Sequence, residues 1–321
     1  MKNQKIRTTL GLCCLVFTIF GWGLSFLGTK TLLNDYLPVE IIFFRYLLSY
    51  VGLFLILPKP FLLKDWKFEL LCFLAAIFGV SIYQYLENIA IDKTSASNVS
   101  IIISCSSFFT AIFTTLILKS EKIGVNFLIG FVFSLVGVIL VSFNGAIHFE
   151  FNPLGDIMTL MCAMLWGLYS ITVSKLNQSN YKLVFITRRI MLYGVIQIIP
   201  IFFIDGGRID FARFTSSTNW FWLLFLGILC GTICFLTWNY SVNVLGPIKT
   251  SLAMYVQPIV TIVFGAIWFN EKIKLMGAFG ALAVIIGLVL STTKFIDNYI
   301  KKKKQKEEPK EQEEIKEELP N

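Results

Sequence analysis

Arg45 and Glu87 offer the clearest chemistry in this sequence, because each falls inside a long apolar stretch. An ionisable group at membrane depth costs roughly 3 kcal/mol or more, so its presence there calls for a reason. The two lie at similar depth in consecutive stretches, and two readings follow. Either they form a buried ion pair that holds two helices together, or one of them contacts a substrate or carries a coupling proton. For a proton, Glu87 is the carboxylate that falls in a stretch interior. Tyr83, Gln84 and Asn88 extend Glu87 into a polar stripe at helical spacing, with Tyr85 off it. Trp238, Asn239 and Tyr240 occupy the matching part of a later stretch. Singly, such residues serve interhelical hydrogen bonds and packing. As a set they are the polar and aromatic lining that a pocket for a small organic ligand uses.

Trp22 and Trp166 lie well inside their stretches, away from the bilayer interface where tryptophan is common. Each precedes a glycine, Gly23 or Gly167, that permits close helix approach, so both are candidates for lining a cavity. Arg188 and Arg189 are adjacent and point about 100° apart on a helix, so they cannot face one cavity together. Pro258 removes a backbone hydrogen bond within its stretch and predicts a kink with a gating role. Enzyme chemistry finds little support. The one histidine, His148, stands in a short loop without a ligand cluster, and no nucleophile, metal or phosphate-loop motif is visible. The seven cysteines lie in apolar runs and read as small packing residues. No cofactor and no metal site is expected.

The elements that must position these residues are membrane helices. The chain has 321 residues, 56% hydrophobic and 15% charged, with mean hydropathy +0.72. Soluble domains average about 25% charged, so the surplus apolar surface needs lipid as its solvent. Apolar stretches near the twenty or so residues that cross a bilayer recur about ten times. They run approximately Leu10–Leu27, Val39–Leu57, Phe68–Ile91, Val99–Leu118, Val125–Phe143, Ile157–Val173, Leu183–Ile204, Trp220–Val242, Ile248–Phe269 and Leu275–Leu290. They are continuously apolar rather than alternating, which indicates helices and not a barrel. The first is read as a helix and not a cleaved signal, since no small-residue cleavage site follows it.

The net charge of +8 does not point to nucleic acid, because the basic residues sit at the ends of apolar runs and in the C-terminal tail. Lys2, Lys5, Arg7, Lys59, Lys64, Lys67, Lys119, Lys122, Lys175, Lys182 and Lys249 fall on one face with the tail cluster Lys301 to Lys304. Lys30, Lys93, Arg208, Arg213, Lys272 and Lys274 fall on the other. The positive-inside rule makes the first face cytoplasmic, with both termini inside the cell membrane. Residues 294–321 are too polar to bury anything and read as a charged cytosolic tail.

Glu121, Lys122, Ile123, Gly130, Gly137 and Leu140 recur as Glu271, Lys272, Ile273, Gly280, Gly287 and Leu290 at one constant displacement. Trp22 and Gly23 echo Trp166 and Gly167, Arg45 echoes Arg189, Gly79 echoes Gly231, and Asn239 stands where the first copy has Glu87. The chain therefore reads as a tandem duplication, 1–146 and 147–293, of a five-helix unit. An odd helix number inverts the second copy in the membrane, the architecture of transporters that alternate access to a midplane site. The four recurring glycines read as close-packing positions of the fifth and tenth helices, and Glu121 and Glu271 as carboxylates favouring the positive helix N-termini that follow.

These features, with the fourth-stretch pattern SASNVSIIIS, resemble the EamA family of the drug/metabolite transporter superfamily over roughly Thr8 to Thr293. The resemblance implies an all-α integral membrane fold of ten helices in two inverted repeats, and a secondary transporter of small metabolites, amino acids or drugs, with export favoured over uptake. Lipid translocation, a channel and an intramembrane enzyme are the rival functions. Such sequences usually carry a proline in helices four and nine. Here Ser107 or Phe108 takes the first position and only Pro258 is present, which predicts a stiffer first half. The partners expected are a small-molecule substrate, the lipid bilayer and protons.

Overall fold

The computed structural model describes residues 2–58, 65–94, 96–119, 124–143, 152–268 and 275–292, and among them the apolar stretches are helical. Helices α1 (Lys2–Leu32), α2 (Pro38–Ile56), α3 (Trp66–Lys93), α4 (Asn98–Leu118) and α5 (Val125–Phe143) come from the first half. The second half gives α6 (Pro153–Leu176), α7 (Leu183–Ile204), α8 (Ser217–Leu245), α9 (Pro247–Trp268) and α10 (Leu275–Thr292). Eight of these are long and apolar enough to cross a bilayer. The apolar parts of α5 and α10, Val125–Leu140 and Phe279–Ser291, are shorter. Of the ten apolar stretches read from sequence, eight appear among the described residues as helices of membrane-crossing length and two as shorter apolar helices. Large apolar side chains such as Leu55, Val132, Ile157 and Phe279 stand exposed around the outside, as lipid-facing residues do.

Local chemistry sets the helix ends. Asp65 accepts from the Lys67 backbone N–H and Asn152 from that of Gly155, each satisfying a donor that a helix start leaves free. Gly246 separates α8 from α9 with φ +84°, a conformation that side-chain-bearing residues rarely adopt, and Pro247 opens α9.

Several helices are segmented. α3 breaks at Val80, and α8 carries a π-helical stretch over Phe225–Cys234. In α9 a short helix Pro247–Ser251 passes into a 3-10 stretch Leu252–Val256 before Pro258, whose ring and missing N–H disfavour α-helical bonding in the turn before it. α4 is also broken, at Cys105, although it lacks the expected proline, so the stiffer first half anticipated from sequence is not an unbroken helix. Beside this break the Ser107 hydroxyl donates to the Ser251 carbonyl at 2.5 Å, joining the two segmented helices.

Glycine governs the closest contacts. A Cβ at Gly130 would stand 2.5 Å from the Gly287 carbonyl oxygen, and one at Gly137 would stand 2.6 Å from the Val284 nitrogen, so α5 and α10 meet backbone to backbone. The two Trp-Gly pairs act alike. Gly23 brings α1 against Val260 of α9, and Gly167 brings α6 against Phe109 and Thr110 of α4. Glu121, Glu271, His148 and the tail lie outside the described residues.

Candidate functional site

The tryptophans of these two pairs face one another at the centre of the bundle. There the Trp22 and Trp166 rings meet edge to face, 5.0 Å between centroids. Trp238 packs 5.3 Å from both, and Phe235 lies 5.3 Å from Trp22. The Trp22 indole N–H donates to the Cys230 carbonyl, inside the π-helical stretch of α8. This aromatic layer borders a cavity of about 20 Å3 lined by Trp22, Arg45, Tyr83, Gln84, Glu87 and Trp166, together with Ser25, Phe26, Phe235, Met254 and Gln257. That volume holds about one water, whereas pockets for small molecules run to roughly 300 Å3 or more. In this conformation the chamber is too small for a metabolite, and a ligand is admitted only if the lining moves apart.

Hydrogen bonding divides the lining into two classes. The Tyr46 hydroxyl donates to Gln84 Oε1 at 3.1 Å, and Gln84 Nε2 donates to Glu87 and to Asn88 Oδ1. Asn88 in turn donates to the Pro38 carbonyl at 3.2 Å, tying α3 to the start of α2. Against this connected chain stand groups with nothing to bind. Arg45 is 2% exposed, and its Nε and Nη1 have no hydrogen-bond partner. The Trp166 indole nitrogen and Gln257 Oε1 are likewise buried and unpartnered. A guanidinium cannot shed its charge to escape such a site. Unsatisfied buried donors are costly, and an acceptor entering the cavity, a water or an anion, would satisfy them.

The ion pair between Arg45 and Glu87, one of the two readings of the sequence, is not made. Arg45 lies over the Tyr46 ring instead, 5.5 Å from its centroid, and Glu87 takes its bond from Gln84. Ion pairs form elsewhere among the described residues, through carboxylates that the sequence pattern does not single out. Glu69 in the first turn of α3 holds Arg189 through both oxygens, at 2.5 and 2.8 Å, and accepts from the Tyr193 hydroxyl. Glu40 is fully buried in the first turn of α2, where it caps Leu37 and receives Arg213 at 2.6 Å and the Arg208 backbone N–H at 2.8 Å. Both read as helix-start acids, and their partners lie far off in the chain, so spacing alone carries no signal. Arg188 donates to the Leu57 carbonyl and faces away from the cavity.

The remaining predicted residues divide in the same way. Asn239 is buried outside the cavity, accepting from the Tyr169 hydroxyl at 2.9 Å and donating to Thr187 at 3.0 Å. Trp238 lies behind Trp22 and Trp166 rather than on the cavity surface. Pro258 is buried next to Gln257, which does line it. Gln257 is a site residue that sequence reasoning missed, although a lone amide in an apolar run beside a proline is a visible signal. Tyr85, off the polar stripe as expected, donates to Asp205 at 2.6 Å.

The EamA-like transporter family matches residues 9–143 and again 153–293. The chain belongs to the EamA-like transporter family. The match comes as two family repeats, and with the chain's apolar helices these make it a multi-pass membrane protein. An uncharacterized transporter of Archaeoglobus fulgidus is 28% identical over 298 residues, covering 91% of this chain and 99% of the relative. The uncharacterized transporter YdfC of Bacillus subtilis is 26% identical over 85% of this chain and 88% of its own. A crystal structure superposes with a TM-score of 0.69 over 89% of this chain and 98% of that one; at 14% identity it speaks for the fold alone.

Proposed function

We propose that this EamA family member is a secondary transporter that carries a small zwitterionic metabolite, of the amino-acid kind, across the cell membrane by alternating access. The observation that carries the reading is the buried Arg45 guanidinium, with Nε and Nη1 unpartnered, on a cavity that Glu87 also lines. Arg45 takes the carboxylate of the substrate through charge-assisted hydrogen bonds. Glu87 takes its ammonium group, while Trp22, Trp166 and Tyr83 pack the side chain. A carboxylate that accepts either an ammonium or a proton, but not both, supplies a coupling: a proton entering on Glu87 displaces the substrate. Export is the direction favoured by family resemblance, and uptake would run on the same cycle.

The alternation rests on the two repeats, which we read as inverted. Asn152 at the start of α6 donates to the Lys93 carbonyl at the end of α3, and Lys30 near the end of α1 donates to the Ile91 carbonyl in that same turn. Helix α6 therefore starts where α1 finishes, which supports opposite orientation of halves 1–146 and 147–293. Both termini are placed in the cytoplasm on the lysine and arginine distribution. The broken helices α4 and α9, joined by Ser107 and Ser251, are the proposed moving parts, with Pro258 as the hinge of the second.

Substrate-driven thermal stabilisation and counterflow in proteoliposomes test the site. Amino acids should stabilise and exchange, whereas their methyl esters, which lack the anion, and their N-acetyl forms, which lack the cation, should fail. Equal activity of the esters would remove Arg45 as the anion site. Response to organic cations alone would leave a cation carrier centred on Glu87.

A further inference from the structure

A second cavity, unrelated to the central one, lies on the outside of the bundle. It measures about 320 Å3 and is lined by Leu12, Leu15, Val16, Ile19 and Phe20 of α1, by Lys249, Ala253 and Val256 of α9, and by Leu288 and Val289 of α10. Leu12, Val16, Phe20 and Val289 are exposed, so the groove opens toward the surrounding lipid. From Leu12 to Phe20 it follows α1 for about 12 Å at 1.5 Å per residue. One leaflet of hydrocarbon is about 15 Å deep, half of the bilayer core. The groove is thus as long as one acyl chain is deep.

Its single charge sits at one end. Lys249 is exposed, on the short first segment of α9, and has no carboxylate partner among the described residues. Lys5 and Arg7 are exposed on the first turns of α1, beyond Leu12 on the same side of the membrane. An apolar trough one leaflet deep, closed by a free ammonium and bordered by two more cations, fits an anionic amphiphile standing upright.

We propose that this groove binds one anionic phospholipid, with an acyl chain along Leu12, Val16, Phe20 and Val289 and its phosphate on Lys249. The leaflet is the cytoplasmic one if the termini are inside. The site itself depends neither on that orientation nor on the central cavity's substrate. Lipid here bears on the transporter's moving parts. The 3-10 stretch Leu252–Val256 gives Ala253 and Val256 to the groove, while Met254 of that stretch and the adjoining Gln257 face the central cavity. A chain held in the groove therefore braces the segment of α9 that must rearrange when the cavity opens.

Native mass spectrometry of the detergent-purified full chain, titrated with phosphatidylglycerol or phosphatidylcholine, tests this. Wild-type protein should bind one phosphatidylglycerol roughly fivefold more tightly than phosphatidylcholine, whose phosphate is offset by its own choline cation, the gain expected for one lysine beside a net negative headgroup. Lys249→Gln should erase that preference and Lys249→Arg should keep it. Val16→Trp, which fills the trough at a lipid-exposed position, should weaken both lipids alike. Equal affinity of wild type for the two lipids, or a preference that survives Lys249→Gln, overturns the proposal. So does a dimer that forms as lipid is removed and is broken by Val16→Trp, since a second copy would then be the occupant. All variants are monitored for monodispersity. Should Lys249→Gln fail to fold, Lys249→Met takes its place, with the same loss of preference expected and the same overturning result.

Discussion

Arg45 and Arg189 hold corresponding places in the two repeats, and their surroundings are opposite. Arg189 is gripped by both oxygens of Glu69, with Tyr193 on the same carboxylate. Arg45 is buried more deeply and has Nε and Nη1 unpartnered. The contrast repeats one helix further on. Asn239 is neutral and bonded through both ends of its amide, whereas Glu87 is a carboxylate on the cavity. The two family repeats are alike in pattern, and polar satisfaction separates them. The second repeat bonds its arginine and amide into the structure, and the first, under the proposed function, leaves a guanidinium and a carboxylate to a ligand. A satisfied polar network rigidifies, while an unsatisfied one is costly until something binds.

The sharpest break of this comparison exchanges the effects of the two arginines. Arg45→Gln should cut zwitterion counterflow ten- to hundredfold, since hydrogen bonds to a charged group contribute about 1.5 to 3 kcal/mol. Its thermal stability should hold or rise, because an unpaired buried charge is removed. Arg189→Gln should do the reverse, lowering stability by about 1 to 3 kcal/mol while transport per folded molecule stays within a few-fold. The double variant Arg189→Gln with Glu69→Gln should regain part of that stability, because the carboxylate is no longer left alone. Transport loss in Arg189→Gln equal to that in Arg45→Gln would erase the distinction between the halves.

Glu87→Gln sharpens the same contrast from the acid side. The substitution breaks no ion pair, so unfolding by heat or denaturant should shift by less than about 1 kcal/mol. Exchange of substrate down its gradient should persist at reduced affinity, and accumulation driven by an imposed proton gradient should disappear. Normal driven accumulation in a normally stable Glu87→Gln protein would take the proton away from this residue.

Particular residues show what the sequence makes legible. The helices are readable because lipid demands unbroken apolar runs, and the glycine repeats because close helix contact demands glycine at fixed spacing. Tyr83, Gln84, Glu87, Trp22 and Trp166 are readable as polar or aromatic exceptions on such runs, and all five line the cavity. The partners are not. Arg189 meets Glu69 from far along the chain, and no periodicity on either helix points to the other. The π-helical stretch of α8 that presents the Cys230 carbonyl to Trp22 also lacks a sequence mark, since it is a backbone adjustment to packing. The break in α4 at Cys105 has no proline to mark it and lies beside the bond from Ser107 to Ser251 of α9, a contact that local propensity does not reveal.

The smallest effect belongs to the satisfied amide. Asn239 joins α8 to α6 and α7 by bonds to Tyr169 and Thr187, and it stands where the first repeat places its acid. Tyr169→Phe removes one of these bonds and leaves Asn239 Oδ1 buried without a donor, while the ring still fills the space that Gly79 leaves open for it. A loss of about 1 kcal/mol in stability is expected from that single neutral bond. Substrate affinity should not change, because neither Tyr169 nor Asn239 lines the cavity. Asn239→Asp tests the asymmetry directly by giving the second repeat the charge of the first. A carboxylate there still accepts from Tyr169, but Thr187 can donate to it only by giving up its bond to the Leu183 carbonyl, and no ion pair among the described residues involves this position, so the change should destabilise more than Tyr169→Phe. Should Asn239→Asp instead fold with wild-type stability and transport in a proton-dependent manner of its own, the two halves would be interchangeable as coupling sites.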